Sequence, residues 1–308
     1  SILWLNLTAM QSGNTRWIFL IIFSIVWGSS FILIKKSLIG LTPVQVGALR
    51  VLIASVFLFV IGFTHLKRID KKQWKWIAIA GTIGTFIPAF CFAYAQTEID
   101  SAITSILNAT TPIMTLIFGS VLFAIGFTRR QLFGVIIGLL GCLLLIWQGS
   151  SINPDQDYRY VFFIFVATVG YAMNVNIIKT HMQELSPLAI STGSFLVIMI
   201  PSLLILISTG FFSQDLLASE ETMVSIGYVS LLAIFGSALA LLIFNKLIQI
   251  STPVFSTSVT YTIPIVALLW GVWDGETFSF LQIIAGGIIL FGVILANSKK
   301  RVRKTAPV

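Results

Sequence analysis

The stretch WGSSFILIKKSLIGLTP at residues 27–43 returns as YAMNVNIIKTHMQELSP at residues 171–187. Each copy starts with an aromatic residue and places a lysine at the ninth position, Lys35 or Lys179. Each copy ends in a hydroxyl residue followed by proline. A second match lies 152 positions apart, and it relates Ser105, Asn108 and Pro112 to Thr257, Thr260 and Pro264. The two matches indicate a chain built from two related halves.

Apolar runs of membrane length fill nearly the whole chain. Of 308 residues, 57% are hydrophobic and 10% are charged, whereas a soluble protein carries about 25% charged residues. Runs of about 20 apolar residues are long enough to cross a bilayer as helices, and these runs lack the alternation of a membrane β-barrel. We predict ten spans, at residues 16–34, 44–64, 74–95, 101–124, 130–148, 159–179, 187–209, 223–245, 252–272 and 278–297.

The predicted fold is therefore all-α and integral to the membrane. Each half holds five spans, and because five is odd the second half enters the bilayer from the opposite side. Inverted-topology repeats of this kind are typical of secondary transporters. The predicted organisation is an N-terminal tail at 1–15, a first five-helix repeat at 16–148, a loop at 149–158, a second five-helix repeat at 159–297 and a basic tail at 298–308.

The distribution of the +8 net charge along the chain indicates a membrane protein rather than one that binds nucleic acid. With both termini in the cytoplasm, 15 of the 19 Lys and Arg residues lie on the cytoplasmic side, which sets the orientation. These residues meet the anionic lipid of the inner leaflet, so membrane lipid is an expected partner and nucleic acid is not. The four exceptions are Lys35, Lys36, Arg50 and Arg159.

Polar side chains recur along spans four and nine. Span four carries hydroxyl and amide residues at helical spacing, including Asn108 and Thr111, and span nine carries Thr260 with Tyr261 beside it. Prolines Pro112 and Pro264 stand at matched positions, and a third, Pro88, lies in span three. A proline inside a helix bends it and frees a carbonyl, and freed backbone groups at membrane depth need a protein or watery environment. We expect spans four and nine to line a central cavity, although hydroxyl side chains that only join helices are the alternative.

Spans one and six supply a second matched pair. Trp27 and Ser30 share a face of span one, and Tyr171 and Asn174 share the matching face of span six. Apolar walls with a few oriented polar groups suit a small-molecule pocket, and aromatic residues at packed core positions are the alternative. Tyr94, near the end of span three, is added as a candidate gate residue.

Glycines repeat at helix-face spacing in spans five and ten, at Gly134, Gly138, Gly141, Gly286, Gly287 and Gly292. Small residues let helices approach closely in lipid. We expect packing within the monomer, with a homodimer face as the alternative.

No Asp or Glu lies deep in any predicted span. Proton-coupled carriers commonly use buried acidic groups or histidines, so we expect exchange, or coupling through an edge group. The sequence shows no phosphate loop, metal-spaced ligand set or catalytic triad, so no enzyme activity, metal or cofactor is predicted.

Several motifs resemble EamA-type members of the drug/metabolite transporter superfamily. They include WGSSF at 27–31, the run from Ala102 to Pro112, its counterpart from Val254 to Pro264, and Gly275-Glu276-Thr277. At Gly126-Phe127-Thr128 the chain lacks the Gly-Glu pair of many relatives. The resemblance implies ten helices in two inverted repeats. It also implies a pocket lined by helices one, three, four, six, eight and nine, and export or exchange of metabolites such as amino acids.

The sequence thus predicts a bacterial inner-membrane secondary transporter for a small neutral or zwitterionic metabolite. The expected pocket residues are Trp27, Ser30, Tyr94, Asn108, Thr111, Tyr171, Asn174, Thr260 and Tyr261. A passive channel, an intramembrane lipid enzyme and a receptor remain as alternatives at this point.

Overall fold

A computed structural model describes residues 13–297 except 125, 127, 153–154, 214–218 and 251. The predicted basic tail at 298–308 lies outside the described residues, and so do residues 1–12 of the predicted N-terminal tail. The inter-repeat loop at 149–158 is described only in part.

The described part of the chain is helical and contains no β-strand. We group its helices into consecutive rods. In the first half they are α1 (Gly13–Ser37), α2 (Pro43–Leu66), α3 (Lys71–Gly81 and Ile87–Ala95, joined by a π-helical turn at Thr82–Phe86), α4 (Ser101–Asn108 and Thr111–Phe123) and α5 (Arg129–Ile152). In the second half they are α6 (Val161–His181), α7 (Pro187–Ser208), α8 (Glu220–Leu231 and Ala240–Ile250, joined by a π-helical turn at Leu232–Leu239), α9 (Pro253–Thr257 and Ile263–Trp273, joined through a 3₁₀ turn at Ser258–Tyr261) and α10 (Phe280–Asn297).

Seven of these rods, α2 to α8, are long and apolar enough to cross a membrane. Rods α9 and α10 contain the shorter apolar helices Val259–Trp273 and Phe280–Ala296. Large apolar side chains such as Val60, Val121 and Phe280 are exposed on the outer surface, as expected where lipid is the solvent. Ten membrane crossings and cytoplasmic termini remain predictions.

The repeated hydroxyl-proline pairs begin α2 and α7. The Thr42 hydroxyl accepts a hydrogen bond from the Gln45 backbone N–H, and the Gln45 side chain accepts one from the Thr42 N–H. Ser186 accepts in the same way from the backbone N–H of Ala189. These caps satisfy backbone donors at the helix starts, where proline is tolerated in the first turn.

Corresponding rods of the two halves pack antiparallel. In α5 and α10, Gly134 lies against Ala296 while Gly141 lies against Ile289, so residue numbers rise along one rod as they fall along the other. A Cβ atom on Gly134 would lie 2.3 Å from the Ala296 backbone nitrogen, which shows how closely the backbones approach. The predicted glycine packing therefore joins the two halves of one chain, except at Gly287, where nothing lies within 4 Å of an added Cβ.

Rods α2 and α7 show the same antiparallel pairing. The Ser55 hydroxyl donates to the Phe195 carbonyl at 3.0 Å, and the Thr192 hydroxyl donates to the Leu58 carbonyl at 3.3 Å. In α4 and α9, Ala102 lies beside Gly271 near one end, while Thr111–Phe123 contacts Pro253–Thr257 near the other. Opposite directions of corresponding helices are the geometry that inverted repeats require.

Candidate functional site

A cavity of about 90 Å³ lies where the two halves meet. Eight rods line it, because α2 and α7 contribute in addition to the six helices that the resemblance implies. Seven of the expected pocket residues face it: Trp27, Ser30, Asn108, Thr111, Tyr171, Asn174 and Thr260. The sequence patterns in spans one, four, six and nine therefore converge on one space.

Two expected pocket residues lie elsewhere. Tyr94 stacks on Phe163 with 5.5 Å between ring centroids, near the end of α3. The Tyr261 hydroxyl donates to the Val293 carbonyl at 3.0 Å, which turns the ring toward α10. Neither residue lines the cavity in this conformation.

Helix interruptions lie beside the cavity at matched positions. Rod α4 breaks at Ala109–Thr110, just before Pro112, and α9 breaks at Thr262, just before Pro264. The π-helical turn of α3 precedes Pro88, and the π-helical turn of α8 lies 152 residues further on. Turns of this kind are frequently found at functional sites, and periodicity in the sequence gave no signal for them.

Each π-helical turn brings a glycine against the first helix of the other half. A Cβ atom on Gly84 would lie 2.3 Å from the side-chain carbon of Asn174, and one on Gly236 would lie 2.7 Å from the Ser30 hydroxyl. Gly84 and Gly236 correspond at the 152-residue offset. The two halves thus make the same glycine-to-polar contact on opposite walls of the cavity.

Aromatic pairs form matched apolar walls. Trp27 meets Phe244 at 5.0 Å between ring centroids, and its counterpart Tyr171 stacks on Phe92 at 5.8 Å. The Trp27 indole N–H donates to the Gly236 carbonyl at 3.0 Å, so a carbonyl in the π-helical turn of α8 is satisfied by the wall itself. The aromatic walls are held by contacts that cross between the halves.

The polar groups of the cavity are only partly satisfied. The Thr111 hydroxyl donates to the Asn108 carbonyl at 2.7 Å, and the Ser30 hydroxyl donates to the Val26 carbonyl at 2.9 Å. The Asn174 residue is buried, with only 8% of its surface exposed. Its side-chain amide faces the cavity and makes no hydrogen bond with any residue that the structure describes. Amide groups such as Asn174 can therefore pair with a bound solute.

Arg50, one of the four exceptions to the charge asymmetry, also lines the cavity. Its Nε–H donates to the Ser237 hydroxyl at 2.7 Å. It lies about two helical turns beyond Pro43, which begins α2. This depth within an apolar span was the sequence feature that could have marked Arg50 as a cavity residue. A basic side chain therefore lines the cavity, whereas no Asp or Glu lies deep in any predicted span.

The two halves differ at this point. The 144-residue offset places Ser194 where the first half has Arg50, and Thr85 corresponds to Ser237. Ser194 and Thr85 both line a smaller adjoining cavity of about 10 Å³, together with Asn245. One wall of the site is therefore cationic and the other is neutral.

An ion network closes the end of the molecule at which α1 terminates, which we call the Lys35 end. Glu276 Oε1 accepts hydrogen bonds from the Lys35 ammonium at 2.9 Å and from the Ser101 backbone N–H at 3.0 Å. Glu276 Oε2 accepts from the Ala102 N–H at 3.2 Å. Asp274 pairs with Lys35 and with Lys36. The network ties the start of α4 to the α9–α10 connection, and hence joins the two halves.

Two carboxyl groups at this end have shifted pKa values. Burial raises the pKa of Asp100, and the hydrogen bond from Gln156 opposes that shift only in part. Partial burial also acts to raise the pKa of Asp274, but the hydrogen bonds and charges of Lys36 and Lys35 outweigh it and hold the pKa below 3.8. The two groups therefore respond to acid in opposite directions.

The opposite end, which we call the Lys179 end, has a different set of contacts. Within the second half, Lys179, the counterpart of Lys35, donates to the Gln249 backbone carbonyl at 2.8 Å. Across the two halves the contact is between rings. Trp76 stacks on His181 with 3.7 Å between ring centroids. No ion pair joins the two halves at this end among the residues described.

Comparison with known proteins decides the family. The EamA-like transporter family matches residues 15–147 and 158–298, which is most of the chain. The chain belongs to the EamA-like transporter family. The resemblance drawn from the sequence, to EamA-type members of the drug/metabolite transporter superfamily, is confirmed.

Relatives from several organisms match this EamA-like transporter along nearly its full length. It is 26% identical to the "Uncharacterized inner membrane transporter YedA" of Escherichia coli (strain K12), covering 92% of this chain and 91% of that protein. It is 24% identical to a "Probable amino-acid metabolite efflux pump" of Salmonella typhimurium, covering 92% and 95%. It is 22% identical to a "Probable terminal-alkyne amino-acid exporter" of Streptantibioticus cattleyicolor, covering 94% and 95%.

A solved crystal structure of a protein also matches the EamA-like transporter. It is 17% identical, covers 92% of this chain and 97% of that one, and has a TM-score of 0.64, which shows a shared fold. Family membership, the related inner-membrane transporter and the apolar helices together identify an integral inner-membrane transporter of a small molecule.

Proposed function

We propose that this protein is a secondary transporter that moves a small neutral or zwitterionic metabolite, an amino acid or a related compound, by alternating access. Export or exchange is the proposed physiological mode. The observation that carries the proposal is the central cavity, which both halves line with corresponding residues.

Paired walls support alternating access for a physical reason. If two inverted halves can exchange conformations, a site on their shared boundary opens first to one side and then to the other. Trp27 and Tyr171 contribute corresponding aromatic groups, and Ser30 and Asn174 contribute corresponding polar groups. A solute held between them keeps similar contacts while the halves rock.

Helix interruptions provide the places at which such rocking can occur. The breaks before Pro112 and Pro264 and the two π-helical turns lie at cavity depth. Hinges are commonly a few terminal residues of helical elements that absorb large backbone changes. In the proposed cycle the contacts at the Lys35 end and the Lys179 end break in alternation.

The size of the cavity limits the solute. Ligand pockets for drug-sized molecules occupy roughly 300–1,000 Å³, whereas this cavity occupies about 90 Å³. A compact metabolite fits this scale better than a large one. Two relatives are named for amino-acid substrates, which agree with that scale.

Counterflow in proteoliposomes tests the proposal. Purified protein is reconstituted into vesicles loaded with one unlabelled metabolite, and uptake of the labelled form is measured for a panel of amino acids and neutral solutes. A secondary transporter shows saturable uptake that internal solute accelerates. Flux without saturation or acceleration would instead identify a channel.

Asn108→Ala locates the transport site. We expect uptake to fall while the amount of protein in the membrane stays unchanged, because Asn108 lines the cavity. Ser230→Ala is the matched control, since its hydroxyl donates only to the Ile226 carbonyl on α8, away from the cavity lining. Wild-type uptake in Asn108→Ala would remove this residue from the site.

A further inference from the structure

We propose that Arg50 binds the carboxylate of a zwitterionic solute, so that the protein selects small amino acids over compounds that lack a carboxylate. The inference rests on the proposed transport function and names the substrate class of the same cavity. Arg50 places a positive charge in the cavity wall, and no acidic side chain pairs with it among the residues that the structure describes.

The contacts of Arg50 leave most of its hydrogen-bonding capacity unused. A guanidinium carries five N–H donors, and the Nε–H donates to the Ser237 hydroxyl at 2.7 Å. The ion pairs of the described chain are made by Lys35, Lys36 and Arg159, and none involves Arg50. The terminal nitrogens of Arg50 therefore have no protein partner among the residues described.

A buried arginine without an acidic partner is energetically unfavourable at this depth. Basic residues inside membrane proteins are costly and mark substrate pathways. A planar guanidinium matches a carboxylate geometrically, because two parallel N–H bonds can meet its two oxygens. A carboxylate bound in the cavity would supply the negative charge that the wall lacks, and the charge of Arg50 would then be compensated.

The remaining wall indicates how many charges the solute carries. No Asp or Glu lines the cavity in the part of the chain that the structure describes. One arginine balances one negative charge, which favours a monocarboxylate over a phosphate dianion. A solute ammonium group would instead meet the faces of aromatic residues such as Trp27 and Tyr171, which attract cations.

The second half of the chain has no basic residue at the position that corresponds to Arg50, so the charge lies on one wall only. Ser194 occupies the position equivalent to Arg50, so the pseudo-twofold site has one cationic and one neutral side. An amino acid has the same polarity, with a carboxylate at one end of the α-carbon and a side chain at the other. The asymmetry therefore gives the solute one preferred orientation.

A comparison of amino acids with their amides tests the inference on the wild-type protein. Counterflow is measured for L-alanine, L-serine, L-threonine and L-leucine, for the four corresponding amino-acid amides, and for glycerol and uridine as uncharged solutes. An amide keeps the ammonium group and the side chain but lacks the carboxylate. We expect at least one acid to be transported, and its amide to be transported at least about tenfold less well.

Variants then assign the selectivity to Arg50. Arg50→Met should remove the preference for acid over amide, Arg50→Lys should retain part of it, and Ser237→Ala should raise the KM for the acid with a smaller change in kcat. A purely structural role of Arg50 would lower uptake of acid and amide equally, and that result would overturn the inference.

The outcomes separate the inference from the proposed function. Equal transport of an acid and its amide, or accelerated exchange of glycerol or uridine alone, would overturn the role of Arg50 while leaving the transporter function intact. Absence of counterflow for every compound would contradict both proposals for the classes tested.

Discussion

Trp27 packs edge-on against Phe244 with 5.0 Å between their ring centroids. The residues come from different halves of the chain, and their counterparts Tyr171 and Phe92 make a second contact on the opposite wall, at 5.8 Å. Corresponding residues thus form an aromatic pair on each wall of one cavity, edge-on in one pair and stacked in the other. The pairing places the candidate site on the boundary between the halves, where a relative movement would act on it.

Gly84→Ala is predicted to impair transport. The added methyl group would lie 2.3 Å from the side-chain carbon of Asn174, so Asn174 must move within the cavity. A misplacement on the order of 1 Å can cost about 100-fold in rate, and we expect initial uptake to fall about tenfold or more. Gly227→Ala is the control, because nothing lies within 4 Å of its added Cβ on α8. Equal uptake in the two variants would contradict the contact.

Gly292→Ala is predicted to destabilise the fold. Its methyl group would lie 2.4 Å from the Gly138 backbone nitrogen, where α10 crosses α5, and backbone atoms cannot move aside as a flexible side chain can. Overpacking of this kind costs about 1 to 3 kcal/mol, measured as a lower midpoint of thermal unfolding in detergent. Gly287→Ala serves as the control because nothing lies within 4 Å of its added Cβ. A midpoint for Gly292→Ala at the Gly287→Ala value would show that the crossing is looser than described.

Glu276→Gln is predicted to weaken the Lys35 end. The Glu276 side chain is 1% exposed and holds both Lys35 and the start of α4, so the change leaves partners unsatisfied. Because Lys35 is 32% exposed and partly solvated, we expect a loss of about 1 to 3 kcal/mol, below the value for a fully buried pair. The measurement is again the midpoint of thermal unfolding.

Asp157→Asn is the control for Glu276→Gln, because it breaks an ion pair whose partner Arg159 is 91% exposed. We expect little change in the unfolding midpoint. An equal shift in the two variants would mean that burial of Glu276 adds nothing to its ion network.

Asp100 and Asp274 are predicted to change stability in opposite directions. The raised pKa of Asp100 means that its contribution to stability is complete below its unfolded pKa and is lost as pH rises through its folded pKa. Asp100→Asn should therefore raise the unfolding midpoint at about pH 7 and change it little at about pH 4.

The lowered pKa of Asp274 gives this residue the opposite effect on stability as pH changes. Its contribution is present above 3.8 and is lost as pH falls through the folded pKa. Asp274→Asn should therefore lower the midpoint at about pH 7. Shifts of the same sign in the two variants would contradict the assigned environments.

Much of this arrangement could be predicted from the sequence because it repeats. The correspondence between Asn108 and Thr260, and between Trp27 and Tyr171, indicated which helix faces meet, and the structure places all four on one cavity. A pattern that occurs in both halves arises by chance less often than one that occurs in a single half. It therefore identifies the cavity-facing side of each helix more reliably.

The parts that could not be predicted depend on local geometry. The π-helical turns lie in runs that are apolar on most sides, where a shift in helical phase leaves little trace in the sequence. The roles of Gly84 and Gly236 therefore appear only in three dimensions. Tyr94 and Tyr261 share the composition of pocket residues but rotate toward Phe163 and Val293. The depth of Arg50 in α2 follows from the sequence, but its hydrogen bond to the Ser237 hydroxyl of the other half appears only in three dimensions.

Thiol labelling from each side of the membrane tests whether the cavity opens alternately to the two sides. Ser30→Cys is introduced with Cys91 and Cys142 replaced by alanine, and a membrane-impermeant maleimide is applied from each side of oriented proteoliposomes. Ser208→Cys is the control, since Ser208 is exposed at the Lys35 end and should react from that side alone. The account predicts that Ser30→Cys reacts from either side, and that a transported solute slows both reactions. Labelling from one side only under every condition would contradict it.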